Sequence, residues 1–193
     1  TGDVDKLRAP IETLTAAMVT LSRYRGREDF CDPFCGSGTI PIEAALIAKN
    51  RAPGLNRSFS AMNWQVFDKK LWDDAKEEAR SKEFNGDYRI VGADIDPEAV
   101  KMARENARRA GVDDAVKFEV ADATKFDRIT QRGIIVTNPP YGERIMEKNE
   151  AEALYRGFGA AYGKSENWKL YLLSSHTEFE RTFGRQAVKK RKL

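Results

Sequence analysis

The sequence predicts an α/β fold, a mostly parallel sheet with helices on both faces. Three observations predict it. Short apolar runs of strand character alternate with helical stretches along the whole chain, not in separate blocks. The first such run, Asp29–Phe34, passes through a glycine turn straight into an apolar helix. Polar residues suited to ligand contact stand just after successive strand candidates, at Asp32, Asp94, Asp122 and Asn138, and open parallel sheets bind ligands at the carboxyl ends of their strands.

Ile11–Leu21 carries apolar residues at helical spacing and is expected to form an opening helix. Asp29–Phe34 is a short strand. Thr39–Lys49 is apolar nearly all round, hence a buried helix, with Pro41 tolerated in its first turn. Arg51–Phe67 is irregular, with a turn at Pro53-Gly54. Asp68–Phe84 reads as a helix capped by Asp68, with Leu71, Trp72, Ala75 and Ala79 as its apolar face and Asn85-Gly86 as its stop. Tyr88–Ile95 is a strand and Pro97–Ala110 a helix ended by Gly111. Val116–Ala121 and Gly133–Thr137 are strands, Ala151–Tyr162 a helix, Trp168–Ser174 a strand and Glu178–Phe183 a short helix. Ala187–Leu193 is expected as an edge strand diluted by lysines.

A chain of 193 residues fits one domain, 1–193, able to bury a real core. No apolar run approaches the roughly 20 residues a bilayer crossing needs, and the acidic start Thr1-Gly2-Asp3-Val4-Asp5 lacks a signal-peptide apolar region and reads as a cut point inside a longer protein. The two cysteines, Cys31 and Cys35, are expected to be buried and reduced, which fits a cytoplasmic setting. The one histidine, His176, stands alone, so Ser-His-Asp hydrolysis and a histidine metal site are disfavoured and no metal is expected. A net charge of +3 is weakly basic, but Arg23, Arg25 and Arg27, then Arg51 and Arg57, then Lys189–Lys192 form clusters able to meet phosphates.

The first strand ends in Asp32-Pro33-Phe34-Cys35-Gly36-Ser37-Gly38-Thr39. A phosphate-binding P-loop needs Gly-Lys-Ser/Thr, whereas Gly38-Thr39-Ile40 stands here; a dinucleotide fingerprint needs a third glycine, where Pro41 stands. S-adenosylmethionine (SAM) remains, leaving S-adenosylhomocysteine (SAH) as product. Its amino-acid end has no phosphate, and Asp32 suits its ammonium. Asp94 suits the ribose hydroxyls, Ile95 the adenine face, and Asp122-Ala123 the adenine amino edge.

The fourth strand ends in Thr137-Asn138-Pro139-Pro140-Tyr141. The prolines remove two N–H groups and stiffen the turn, so its carbonyls are expected to point outward without local partners. An exocyclic base amine is a poor nucleophile because its lone pair is delocalised into the ring. The Asn138 side-chain oxygen and the Pro139 carbonyl, set on the two amine hydrogens, draw the nitrogen toward sp³. Tyr141 stacks on the base, and a base in a helix must first be flipped out. Such catalysis is positioning and dipole placement.

Asp32–Thr39, Asp94–Pro97, Asp122 and Asn138–Tyr141 together resemble the Rossmann-like class I methyltransferases that act on amines. Ala9–Leu14, Asp32–Ala45, Ala52–Phe59 and Thr137–Arg144 further resemble the THUMP-associated bacterial large-subunit ribosomal RNA guanine-N2 methyltransferases, once labelled N6-adenine-specific DNA methylases. The resemblance implies guanine N2 of 23S ribosomal RNA as target and RNA as partner. It also implies two parts that these 193 residues are expected to lack: the RNA-binding THUMP region and a final antiparallel strand. The family's opening motif usually has a basic residue between Ile and Glu, whereas Ile11 is followed directly by Glu12. Arg144 is a candidate contact for guanine O6 or a phosphate. Adenine-N6 methylation of DNA or RNA, glutamine-N5 methylation of a protein, and an inactive SAM-binding module are the competing readings. Intact Asp32–Gly38 and Asn138–Tyr141 disfavour the last.

Overall fold

The computed structural model describes residues 13–64, 66, 68–127, 130, 132–141, 145–165 and 167–191. Five strands form one sheet: β1 (Asp29–Asp32), β2 (Ile90–Asp94), β3 (Val116–Val120), β4 (Gly133–Thr137) and β5 (Trp168–Leu172). Their order is β3-β2-β1-β4-β5, every neighbouring pair parallel. The chain lays β2 and β3 on one side of β1, then crosses to lay β4 and β5 on the other. That reversal opens a crevice where the carboxyl ends of β1 and β4 diverge.

Alternation along the strands sorts the side chains into two cores. Phe30, Ile134 and Val136 face helices α1 (13–22), α2 (Thr39–Lys49) and α4 (Pro97–Ala110), packing with Val19, Ala44, Val100, Ala103 and Phe118. Cys31 and Ile135 face the other way, toward Phe158 of α5 (Ile145–Tyr162) and Phe183 of α6 (Phe179–Phe183). Burying each large apolar side chain contributes about 1.5–3 kcal/mol. Because β4 is covered on both faces, it reads as the unbroken apolar run Gly133–Thr137.

The helix caps follow the sequence. The Asp68 carboxylate accepts from the Lys70 N–H at 2.9 Å, and that of Asp96 from Glu98 N–H at 2.9 Å, with Pro97 in the first turn of α4. Gly111 ends α4 at φ 71°. Helix α3 (Lys69–Ser81) departs from expectation on two counts. It stops before Phe84, because the Phe84 N–H donates to the Lys49 carbonyl at 2.7 Å and pulls the chain onto the end of α2. Its apolar stripe is also not core: Leu71 is 57% exposed, and Trp72 stacks on Phe59 at 6.2 Å.

β2 begins at Ile90, not Tyr88, since its partner β1 pairs only from Phe30 onward, opposite Ile90. β5 ends at Leu172, opposite Thr137, where β4 itself ends. Helix α5 starts six residues before Ala151. Residues 148–150, Lys-Asn-Glu, are exposed and carry no apolar signal ahead of the buried Ala151. The expected edge strand Ala187–Leu193 is not formed by its described residues, 187–191. Instead Glu180 accepts from the Ala187 N–H at 2.7 Å and from Lys190 Nζ at 2.6 Å, and Val188 is fully exposed. Four of the last five residues are basic, which leaves no apolar face for a strand to bury. The strands of the described residues are all parallel. Ile11, Glu12, Gly142, Glu143, Arg144, Lys192 and Leu193 lie outside the described residues.

Candidate active site

Every residue singled out at a strand end arrives at the same edge of the sheet. Asp32 closes β1 and is 1% exposed. Its Oδ1 accepts from the Thr137 hydroxyl at 2.6 Å and from the Phe34 N–H at 3.1 Å. Burial raises its carboxyl to about 7, opposed by those two bonds and assisted by the nearby charge of Asp94. Thr137 immediately precedes the Asn138–Tyr141 turn, so this buried bond ties the end of β1 to the start of that turn.

The turn after Asp32 is stitched to β2. The Cys35 N–H donates to the Ala93 carbonyl at 2.8 Å, and the Gly36 N–H to Asp94 Oδ2 at 2.9 Å. Gly36 has φ 51°, and a Cβ built there would meet nothing within 4 Å, so its open side faces free space. Gly38 has φ 84° for a different reason: a Cβ there would stand 2.9 Å from Ala103 Cβ and the Phe118 ring, so the residue allows α4 and β3 to close on the turn. The Ser37 hydroxyl pairs with Thr39 at 3.2 Å, and the Ser37 carbonyl accepts from Asn106 Nδ2 at 2.8 Å. Pro33 is buried, and Phe34 packs edge-on against Phe158 at 5.3 Å. Cys31 and Cys35 are both buried thiols, and burial pushes the Cys35 thiol far up, which leaves it inert as a nucleophile.

Asp94 Oδ1 accepts from the Asp96 N–H at 3.0 Å. Each Asp94 oxygen thus has one partner and keeps a further lone pair. Beside it Ile95 is 70% exposed, an apolar side chain presented to the crevice edge. Asp122 Oδ1 takes both the N–H and the hydroxyl of Thr124, at 2.9 and 2.7 Å, and these bonds hold its carboxyl below the usual range. Its Oδ2 lies 3.6 Å from Lys125 Nζ. The Ala123 side chain packs in the second core, which leaves only its backbone for a ligand.

In the last turn Asn138 and Pro140 are exposed, Pro139 is buried and Tyr141 is half-buried. The Tyr141 hydroxyl donates to Asn138 Oδ1. The acceptor assigned to a substrate amine therefore already holds a donor from its own loop. The Pro140 carbonyl is not without a partner either: the Tyr155 hydroxyl of α5 donates to it at 2.5 Å. Among the described residues no bond reaches the Pro139 carbonyl. Sequence reasoning missed Asn106, Tyr155 and the Asp32–Thr137 bond. Only Asn106 carried a signal, as a polar residue beside the buried Ala103 and Ala107. Among the described residues no cluster of three or more His, Cys, Asp or Glu is placed to hold a metal, and no helix is long and apolar enough to cross a membrane.

Residues 4–193 match the family described as RMKL-like, methyltransferase domain. The chain belongs to that family. It is 47% identical over 162 residues to the Ribosomal RNA large subunit methyltransferase K/L of Aliivibrio fischeri (strain MJ11), covering 79% of the chain and 23% of that enzyme. A structure from Listeria monocytogenes str. 4b F2365, described as a predicted N6-adenine-specific DNA methylase, superposes with TM-score 0.90 at 42% identity, covering 94% of the chain and 48% of that protein. SMU.472, whose crystal structure is complexed with SAH, superposes with TM-score 0.88 at 38% identity, again covering 94% and 48%. The chain thus spans a quarter to a half of the length of these relatives. As an RMKL-like methyltransferase domain it has the Rossmann-like class I fold, and the strand-end residues occupy the edge where that fold binds its ligands.

Proposed function

We propose that this chain is a SAM-dependent methyltransferase domain acting on the exocyclic amine of an RNA base, and that the target is guanine N2 in large-subunit ribosomal RNA. One observation carries the chemistry: Asn138-Pro139-Pro140-Tyr141 ends β4 directly beside the glycine turn that ends β1, and the Thr137–Asp32 bond joins the two. SAM supplies an electrophilic methyl group. The residues present suit it. Gly36 opens onto free space, Asp94 has lone pairs for the ribose hydroxyls, Ile95 offers an apolar face to adenine, and Asp122 Oδ2, 3.6 Å from Lys125 Nζ, keeps lone pairs for the adenine amino group. Asp32, which precedes the turn and accepts from the Phe34 N–H within it, is the acid assigned to the ammonium.

On the substrate side, Asn138 Oδ1 and the Pro139 carbonyl are the two acceptors for the amine hydrogens. Asn138 Oδ1 holds the Tyr141 hydroxyl with one lone pair and keeps the other for an amine hydrogen, while the Tyr141 ring offers the stacking face for the base. Guanine N2 and ribosomal RNA are supported by the K/L relative and by the resemblance at Ala52–Phe59. Adenine N6 is the second reading, supported by the description of the Listeria structure, and the same two acceptors serve it equally. The intact protein, given labelled SAM with ribosomal RNA that lacks its own methylation and, separately, with DNA, decides between them. Label in N2-methylguanine from RNA is expected. Label confined to N6-methyladenine overturns the base assignment.

A further inference from the structure

The Asn138–Tyr141 turn poses a problem that its own sequence creates. Pro139 and Pro140 have no N–H, so at these two positions the backbone cannot be held by donating hydrogen bonds. There only the carbonyls can be gripped, and that of Pro140 is. The Tyr155 hydroxyl reaches the Pro140 carbonyl at 2.5 Å from a ring that is 1% exposed. The ring is walled in turn by Phe179 at 4.9 Å and by His176, edge-on at 5.8 Å. The sole histidine is not a stray surface residue: its side chain is 5% exposed. Its Nδ1 accepts from the Glu178 N–H at 3.1 Å, so in the neutral ring Nε2 carries the hydrogen and donates to Glu152 Oε1 at 3.2 Å.

From this we infer that Tyr155, braced by His176 and Glu152, is the positioning residue of the amine-binding turn. The inference rests on the reading of Asn138 and Pro139 as the amine's acceptors. With φ fixed by both proline rings, pinning the Pro140 carbonyl toward α5 fixes the plane of the following peptide. It also directs Tyr141 and leaves the Pro139 carbonyl, which no bond among the described residues reaches, to take an amine hydrogen. Tyr155 touches neither substrate nor cofactor; it sets where the acceptors stand. A misplacement of about 1 Å at such a site costs on the order of a hundredfold in rate.

Tyr155→Phe keeps the ring and removes only the hydroxyl. In the intact protein, with labelled SAM and ribosomal RNA lacking its own methylation, turnover is expected to fall about 10- to 100-fold. KM for RNA and the affinity for SAH should stay within about twofold, since neither contact is altered. A merely structural role would instead lower the melting temperature and leave the turnover of the folded protein unchanged. Glu152→Gln, which keeps an acceptor for Nε2–H, should retain turnover, whereas Glu152→Leu should lose several-fold; this pair decides the matter if Tyr155→Phe does not fold. Normal turnover in folded Tyr155→Phe, or equal turnover of the two Glu152 variants where that pair decides, overturns the inference. Asn138→Ala, run in parallel, separates this from the underlying reading. If Asn138→Ala is inactive while Tyr155→Phe is normal, only the positioning role falls. If Asn138→Ala is fully active, both fall.

Discussion

The Asp94 oxygens hold the Gly36 and Asp96 N–H groups, and each keeps a further lone pair, which the proposed function assigns to the ribose hydroxyls. Asp94→Ala should therefore weaken SAH binding by about 1.5–3 kcal/mol, the range for hydrogen bonds to a charged group. Calorimetry on the intact protein measures this, and an unchanged Kd removes Asp94 from the cofactor site. Tyr141 separates ring from hydroxyl. Tyr141→Phe loses the bond to Asn138 but keeps the stacking face, so turnover should remain within about threefold. Tyr141→Ala loses stacking worth about 1–3 kcal/mol and should raise KM for RNA accordingly. A large loss in the Phe variant would mean that the hydroxyl, not the ring, serves the base. These residues were legible because they are contiguous: Asp32–Thr39 and Asn138–Tyr141 are read straight off the chain. Their partners were not. Asn106 lies 69 positions from the Ser37 it ties down, and Thr137 lies 105 from Asp32. Such pairings exist only once the sheet is assembled.

Between elements, the Asp32–Thr137 bond clips β1 to β4, and the burial of Asp32 gives the fold a pH signature against which that bond works. The folded state raises the Asp32 carboxyl to about 7, against an unfolded value near 4. Between those values the folded protein holds a proton that the unfolded chain has released. The contribution to stability is thus complete below about pH 4, falls as pH rises through this window and levels off above about 7. Asp32→Asn keeps an acceptor for the Thr137 hydroxyl and cannot ionise. Its melting temperature should match or trail the native protein near pH 4–5 and exceed it near pH 8. Parallel melting curves across that range would show that Asp32 does not titrate there. The elements themselves were mostly legible, since caps such as Asp68, Asp96 and Gly111 are local signals. Besides the edge strand that residues 187–191 do not form, two were misjudged for reasons of context. The stripe on α3 has helical period but lies outside both cores, with Trp72 stacked on Phe59 and Leu71 exposed. Residues 148–150 of α5 are helical and exposed, with no apolar side chain to signal it.

For the whole molecule, the basic clusters are less available than the sequence suggested. Arg51 is committed inward, pairing with Glu83 at 2.6 Å with both side chains largely buried, and donating to the Ala110 carbonyl at 3.1 Å. Arg51→Ala should cost several kcal/mol of stability, since it leaves Glu83 without its partner, and leave the salt dependence of RNA binding unchanged. Arg23, Arg25 and Arg27 remain exposed. Neutralising all three should flatten the slope of log K against log salt by up to about 3, roughly one for each phosphate no longer neutralised. An unchanged slope would place the RNA on another face. At this scale the parallel sheet was predictable, but neither the strand order nor the second set of contacts behind the Asn138–Tyr141 turn was. The proposed function stands or falls on one edge of the sheet both holding a cofactor and presenting two acceptors to an amine. Asn138→Ala is its sharpest test, in the intact protein with labelled SAM and ribosomal RNA lacking its own methylation. SAH affinity should stay within about twofold while turnover falls about 100-fold or more, as for other preorganised dipoles; turnover close to that of the native protein would contradict it.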